Sequence, residues 1–305
     1  MNTRTPDALQ TLPPNINWQG TAALVLDPVA LQPLLPRIYQ WSDNPQLDCL
    51  YLNTPLHEQL SLSPCVVFLT DKDDPVLSGF LSEIGQEPGW LLLSDASPNE
   101  VSQYLRSLLL VAPPHGDPAL LRLADPATAH VLLGYAEQQG NADWFGPVRD
   151  VYCPDALLQR WHHHSVPSKP IVANERAHRP RRLSEAEWTL LEQVSFRQTV
   201  IKLGQHMEQH FPDYYPELRH MARTQHWHQL ADTAYRQGFY SRQEILMFAN
   251  VHGFLGPNAL EAHPQLQILL QDKNGGTPTQ RINEAARVAA RLADSKETAP
   301  CQPVT

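Results

Sequence analysis

One phrase recurs along the first half of this chain and limits what it can fold into: a short apolar run, then Asp or Ser followed by Pro, then an amphipathic stretch. Thr21–Leu26 ends at Asp27-Pro28, Cys65–Thr70 leads to Asp74-Pro75, Trp90–Leu93 to Ser97-Pro98, and Leu120–Leu123 to Asp125-Pro126. An acidic or hydroxyl side chain at a helix N-cap accepts an orphan backbone amide, and proline at the next position gives up a donor that had no partner. Leu47–Leu52 adds a further apolar run. Val76, Leu77, Phe80, Leu81 and Ile84 share one helical face; Val101, Tyr104, Leu105 and Leu108 share another; Leu132, Leu133 and Ala136 a third. Near-continuous apolar strands alternating with helices predict an α/β domain over residues 15–150, with a mixed or mostly parallel sheet and flanking helices.

After residue 150 the character changes. Residues 151–183 are Pro-rich and basic: Arg160, Lys169, Arg176, Arg179, Arg181 and Arg182 outnumber Asp155 and Glu175, in a chain of net charge −9. Such a stretch is either a solvated linker or a docking strip for an acidic partner. No strand pattern follows residue 160. Ser184-Glu185-Ala186-Glu187 and Ser241-Arg242-Gln243-Glu244 read as capping boxes, with Leu183/Trp188 and Tyr240/Ile245 as hydrophobic staples. Phe196, Val200, Leu203, Met207 and Phe211 keep helical spacing up to Pro212. Residues 184–295 are therefore expected to form an all-α domain, and 296–305 a flexible tail. At 305 residues the chain is long enough for its core to split in two.

Several functions are disfavoured. A net charge of −9 and a pI of ≈ 5.8 argue against a nucleic-acid binder. No apolar run approaches the roughly 18 residues that span a bilayer, and the N-terminus lacks the apolar core of a secretory signal, so a cytoplasmic location is expected. Cys49 and Cys65 lie in apolar, strand-like runs and read as buried free thiols. There is no phosphate-binding glycine loop and no GxSxG nucleophile elbow.

One catalytic reading survives. Asp27, Asp71, Asp95 and Asp125 follow predicted strands, and on one edge of a parallel sheet they could hold Mg²⁺ for phosphoester hydrolysis, with the helical half as a cap. The structural reading makes Asp27, Asp74 and Asp125 N-caps. His162, His163 and His164 are consecutive and point in different directions, which disfavours one shared ion. His206 and His210 lie one helical turn apart, but HMEQH does not place its glutamate as HExxH does. No cofactor or metal is expected. Trp227, Phe239, Tyr240, Phe248 and Phe254 make either core or a partner groove.

Taken in order, Leu24–Asp27, Pro64–Leu69, Gly89-Trp90 through Ser94, Tyr104-Leu105-Arg106, Arg122-x-x-Asp125-Pro126 and Trp144-Phe145-Gly146-Pro147 resemble a known family. It is that of the effector chaperones, or adaptors, of the bacterial type VI secretion system, encoded beside the VgrG spike and the effector. The chain departs from the family pattern at Leu123-Ala124, where an aromatic usually precedes Asp-Pro, and at Ala127, where arginine is usual. The resemblance implies a non-enzymatic cytoplasmic protein without cofactors that binds a cognate toxic effector and loads it onto VgrG, with no nucleic-acid partner and no membrane insertion. The motifs nominate Trp90, Arg122, Asp125, Trp144 and Phe145 as partner-binding residues. Arg179, Arg181 and Arg182 are nominated from the basic stretch, and Trp227 and Tyr240 from the helical half.

Overall fold

The computed structural model describes residues 9–167, 180–214, 220–272 and 275–297. By its internal packing the chain divides into two compact units, Met1–Val194 and Ser195–Thr305. The first is α/β and the second helical, as the sequence predicts.

The first unit begins with β1 (Thr21–Leu26), α1 (Leu34–Trp41), β2 (Gln46–Cys49), β3 (Cys65–Leu69), α2 (Pro75–Ser82) and β4 (Gly89–Ser94). Its six-stranded sheet has the order β2-β3-β1-β4-β7-β8, where β7 is Val148–Asp155 and β8 Arg160–Ser165. Every ladder in this sheet is antiparallel, which corrects the expectation of a mostly parallel one. Of the two helical crossovers, α2 was expected from the sequence and α1 was not. β1 and β2 run the same way with β3 between them, and β3 and β4 run the same way with β1 between them. Two β-α-β units thus interleave into the β-α-β-β-α-β order of ferredoxin-like folds, extended by the β7–β8 hairpin.

The strands read as parallel because both faces of the sheet are covered. Ala22, Leu24, Leu26, Val67, Leu91 and Leu93 face a core that includes Ile38 of α1 and Leu77 and Phe80 of α2. Ala23, Val25, Val66, Trp90 and Leu92 face a second core with Val101 and Leu105 of α3 (Pro98–Ser107) and Leu132 and Leu133 of α4 (Pro126–Gln138). A strand buried on both faces is apolar at every position, whatever the direction of its neighbours.

The antiparallel arrangement also decides the fate of the strand-end aspartates. Leu26 pairs with Gly89 and with Cys65, so Asp27 leaves the sheet at the edge where β3 and β4 begin. Asp71 and Asp95 follow the other ends of those strands, on the opposite edge. Asp71 is exposed and accepts the Asp73 amide at 2.8 Å, and Asp95 is ion-paired with Arg149. The four carboxylates needed for the Mg²⁺ reading are therefore not assembled. Asp74 and Asp125 cap α2 and α4, accepting the amides of Val76 and Ala127 at 2.9 Å each. Asp27 instead closes a turn with the Val29 amide, at 2.8 Å.

Much of the expected connector is folded. Residues 148–165 form the β7–β8 hairpin, and β9 (Arg181–Arg182) pairs in parallel with β5 (Leu110–Ala112), which also pairs with β6 (Ala119–Leu120). The strand expected at Leu120–Leu123 shrinks to β6. Lys169, Arg176 and Arg179 lie outside the described residues, as does the chain after residue 297.

The division between units falls within α5 (Glu185–His210). The second unit continues with α6 (His220–Arg236), α7 (Arg242–Leu255), α8 (Ala259–Ala262), α9 (Pro264–Gln271) and α10 (Pro278–Glu297). Its core gathers Val200, Leu203, Met207, Trp227, Phe239, Phe248, Leu266 and Ile282. The Ser241 box forms as predicted, and Glu244 also accepts the Thr279 hydroxyl at 2.7 Å, tying α7 to α10. His206 is hydrogen-bonded to Asn250. Among the described residues no helix is long and apolar enough to cross a membrane.

Candidate functional site

The nominated motif residues gather in the first unit as two ionic clusters around the same core. The first centres on Arg122. Residues 121–124 make a tight turn, closed where the Asp125 amide donates to the Arg122 carbonyl at 3.1 Å and held from below by the Trp90 indole, which donates to the Leu123 carbonyl at 2.9 Å. The turn aims the Arg122 guanidinium at Asp27 (3.1 Å) and Asp125 (3.4 Å). Both carboxylates are buried while the guanidinium is 43% exposed. Burial pushes the Asp125 carboxyl above the usual range; Arg122 opposes this, and Asp27 and Glu87 reinforce it. Arg122 thus clamps the end of β1 to the start of α4 and keeps one polar face toward solvent.

The second cluster surrounds Trp144. Its indole donates to Glu187 Oε1 at 2.6 Å, and the Arg181 guanidinium lies 4.1 Å above its ring. The Tyr104 hydroxyl donates to the Trp144 carbonyl. Gly146 sits at φ +52 directly against the Tyr104 ring, where only a residue without Cβ fits. Glu187 is also the far half of the Ser184 capping box, accepting the Ser184 amide at 2.7 Å. Burial pushes the Glu187 carboxyl up, but the Ser184 amide, the Trp144 indole, the Ser184 hydroxyl and Arg181 outweigh it and hold the group below its usual range. Phe145 is fully buried beside it. A void of about 30 Å³ lined by Trp90, Tyr104, Leu132, Trp144 and Val151 lies between these clusters.

The nominated residues therefore divide by access. Trp90, Asp125, Trp144 and Phe145 are buried, and Arg181 is 17% exposed and committed to Trp144. Arg182 is exposed and donates to the Pro114 carbonyl at 3.3 Å. In the second unit Trp227 is core, whereas Tyr240 is 66% exposed and stacks edge-on against Tyr235. Sequence reasoning missed Leu52, Leu60 and Leu62, exposed apolar side chains on the connection between β2 and β3. Their signal is a run of leucines in a segment broken by Asn53, Pro55 and Ser61.

The histidine run makes no single ligand set. His162 pairs with Asp155 (3.2 Å), His163 with Asp150 (3.0 Å) and His164 with Glu137 (2.7 Å). Among the described residues no group of three His, Cys, Asp or Glu side chains could hold a metal ion. His130 of α4 stacks on His162 and shares a 2.8 Å hydrogen bond with His164. Burial, together with His162 and His164, lowers its pKa to about 4.

The frame that holds the Arg122 cluster coincides with a recognised domain. Residues 24–142 match the family described as Domain of unknown function (DUF4123). Over 288 residues the chain is 30% identical to accessory protein VasW of Vibrio cholerae serotype O1, covering 92% of each chain. The chain belongs to this family. It is the type VI secretion adaptor family that the ordered motifs resemble, and membership supports an adaptor role. The DUF4123 match includes Asp27, Arg122 and Asp125 but ends before Trp144, Arg181 and Glu187. The similarity to VasW extends well beyond it and reaches into the helical unit. No solved structure matches the chain.

Proposed function

We propose that this protein is a non-enzymatic adaptor that acts in the cytoplasm, binds one cognate toxic effector of a type VI secretion system and delivers it to the VgrG spike. The observation that carries this reading is the similarity to accessory protein VasW along 92% of both chains, in both the α/β and the helical parts. Dispersed carboxylates at opposite sheet edges support binding rather than hydrolysis. The buried motif residues, Trp90, Asp125, Trp144 and Phe145, act in this reading as the frame, and the half-exposed Arg122, with Arg182 and Tyr240, as contacts to partners.

Co-expression of the tagged protein with the toxin and the spike encoded beside it tests the proposal. The expected result is retention of the toxin, weakened by Arg182→Glu or Tyr240→Ala without loss of folding. Retention of neither neighbour would overturn it, as would turnover of phosphoesters abolished by Asp71→Asn.

A further inference from the structure

The edge of the six-stranded sheet holds a pair of thiols for which the adaptor role has no use. Cys49, the last residue of β2, stands directly opposite Cys65, the first of β3, with their sulfurs 3.4 Å apart. The Leu50 amide donates to the Pro64 carbonyl at 2.9 Å, so the hydrogen-bonded pair is the next one along. Cys49 and Cys65 therefore form a non-hydrogen-bonded antiparallel pair, the kind whose Cα atoms lie about 4.5 Å apart. That spacing falls inside the roughly 4.4–6.8 Å range of disulfides, and side-chain rotation alone has to bring the sulfurs to about 2.05 Å.

The two thiols are not equivalent. Cys65 is 1% exposed, while Cys49, on the edge strand, reaches solvent. Arg106 of α3 ion-pairs with Asp48 and places its guanidinium 3.5 Å from the Cys49 carbonyl. The hydrogen bond from the Cys65 thiol favours the Cys49 thiolate; burial and Asp48 oppose it and Arg106 assists, and the balance brings the Cys49 thiol down to about 7. The same hydrogen bond and burial hold the Cys65 proton in place. Cys153, wholly buried on the other face, is raised well above the usual thiol range by burial.

We infer that Cys49 and Cys65 form a peroxide-responsive dithiol, in which Cys49 is the sulfur that is oxidised and Cys65 the sulfur that closes on it. The Cys49 thiolate attacks one oxygen of hydrogen peroxide, the O–O bond breaks, and hydroxide leaves a sulfenic acid on Cys49. Cys65 then attacks the Cys49 sulfur, the S–OH bond breaks, and the Cys65 proton departs with the hydroxyl as water. Two thiols lose two electrons and two protons, and peroxide becomes two waters. The bond ties the edge strand to β3 at both ends of the connection that carries Leu52, Leu60 and Leu62, so oxidation restricts the freedom of that exposed apolar segment. This inference stands independently of the adaptor proposal.

The test uses the full chain carrying Cys301→Ser, reduced, then given hydrogen peroxide in steps, blocked with N-ethylmaleimide and analysed by intact mass and peptide mapping. The expected product has lost two hydrogens, contains a linked Cys49–Cys65 peptide that dithiothreitol reverses, and keeps Cys153 as a free thiol. In Cys65→Ala, dimedone should trap a Cys49 sulfenic acid with no linked peptide. Arg106→Gln should slow iodoacetamide alkylation of Cys49 at pH 7, and by less than Cys65→Ala does. Failure of Cys49 to react overturns the inference, as does a link from Cys49 to Cys153 or to a second chain, or Cys49 reaching sulfinic acid equally fast with and without Cys65. The unmutated pair decides the outcome even if Cys65→Ala is unstable.

Discussion

Replacing Arg122 by alanine separates a structural clamp from a surface contact. The substitution leaves the buried carboxylates of Asp27 and Asp125 without the cation at 3.1 and 3.4 Å. Removing one partner of a fully buried ion pair costs about 3–5 kcal/mol. The guanidinium is 43% exposed, so solvent already screens part of the attraction and about 2 kcal/mol is expected. For a unit the size of Met1–Val194 that corresponds to a Tm lowered by roughly 4–8 °C at pH 7.5.

The pH dependence carries the mechanism. Asp125 already holds its proton more tightly than an unburied carboxyl, and loss of Arg122 removes the charge that opposes this. A carboxyl whose folded pKa is raised is penalised above that pKa and relieved below it, because the folded state then binds the proton. The gap between Arg122→Ala and the parent should therefore narrow as pH falls from 7.5 to 5. The double variant Arg122→Ala/Asp125→Asn should recover part of the loss at pH 7.5, since asparagine still caps α4. Circular-dichroism melts at the two pH values measure both effects. An Arg122→Ala variant that melts with the parent, or a gap that does not change with pH, refutes the clamp.

Three further outcomes are expected. Gly146→Ala places a methyl 2.3 Å from the Tyr104 ring at φ +52 and should cost about 3 kcal/mol or more in urea unfolding; Gly140→Ala, at φ +64 but in open space, should cost only about 1 kcal/mol. Trp144→Phe removes the indole donor from a buried carboxylate and should cost about 1–3 kcal/mol, measured as a lower urea midpoint; an unchanged midpoint would mean that the Glu187 contact contributes nothing. His130 has a pKa of about 4, below its unfolded value of 6.5, so proton uptake favours unfolding and stability should fall as pH drops from about 6.5 toward 4. His130→Gln should flatten that slope between pH 7 and 5 by about 1–2 kcal/mol, which parallel urea titrations would detect.

Local rules alone determined a good deal of this protein. The caps at Asp74, Ser97, Asp125 and Ser241 and the break at Pro212 involve residues close together in the chain, so their chemistry is complete within a few positions and could be read directly. The two-part division, α/β then helical, followed from the change of periodicity, and the ordered motifs from Leu24 to Pro147 pointed to the family.

Strand direction was not so readable. Burial on both faces erases the alternation that distinguishes an antiparallel strand, and the interleaving of β3 between β1 and β2 is a long-range choice. The antiparallel pairing of β1 with β3 and β4 sent Asp71 and Asp95 to one edge and Asp27 to the other. Pairing of β7 with β4 likewise turned part of an apparent connector into the β7–β8 hairpin. Arg122 with Asp27, Trp144 with Glu187 and Cys49 with Cys65 are separated by 95, 43 and 16 residues. A side chain's partner across such separations depends on register and topology, and only the folded chain fixes those.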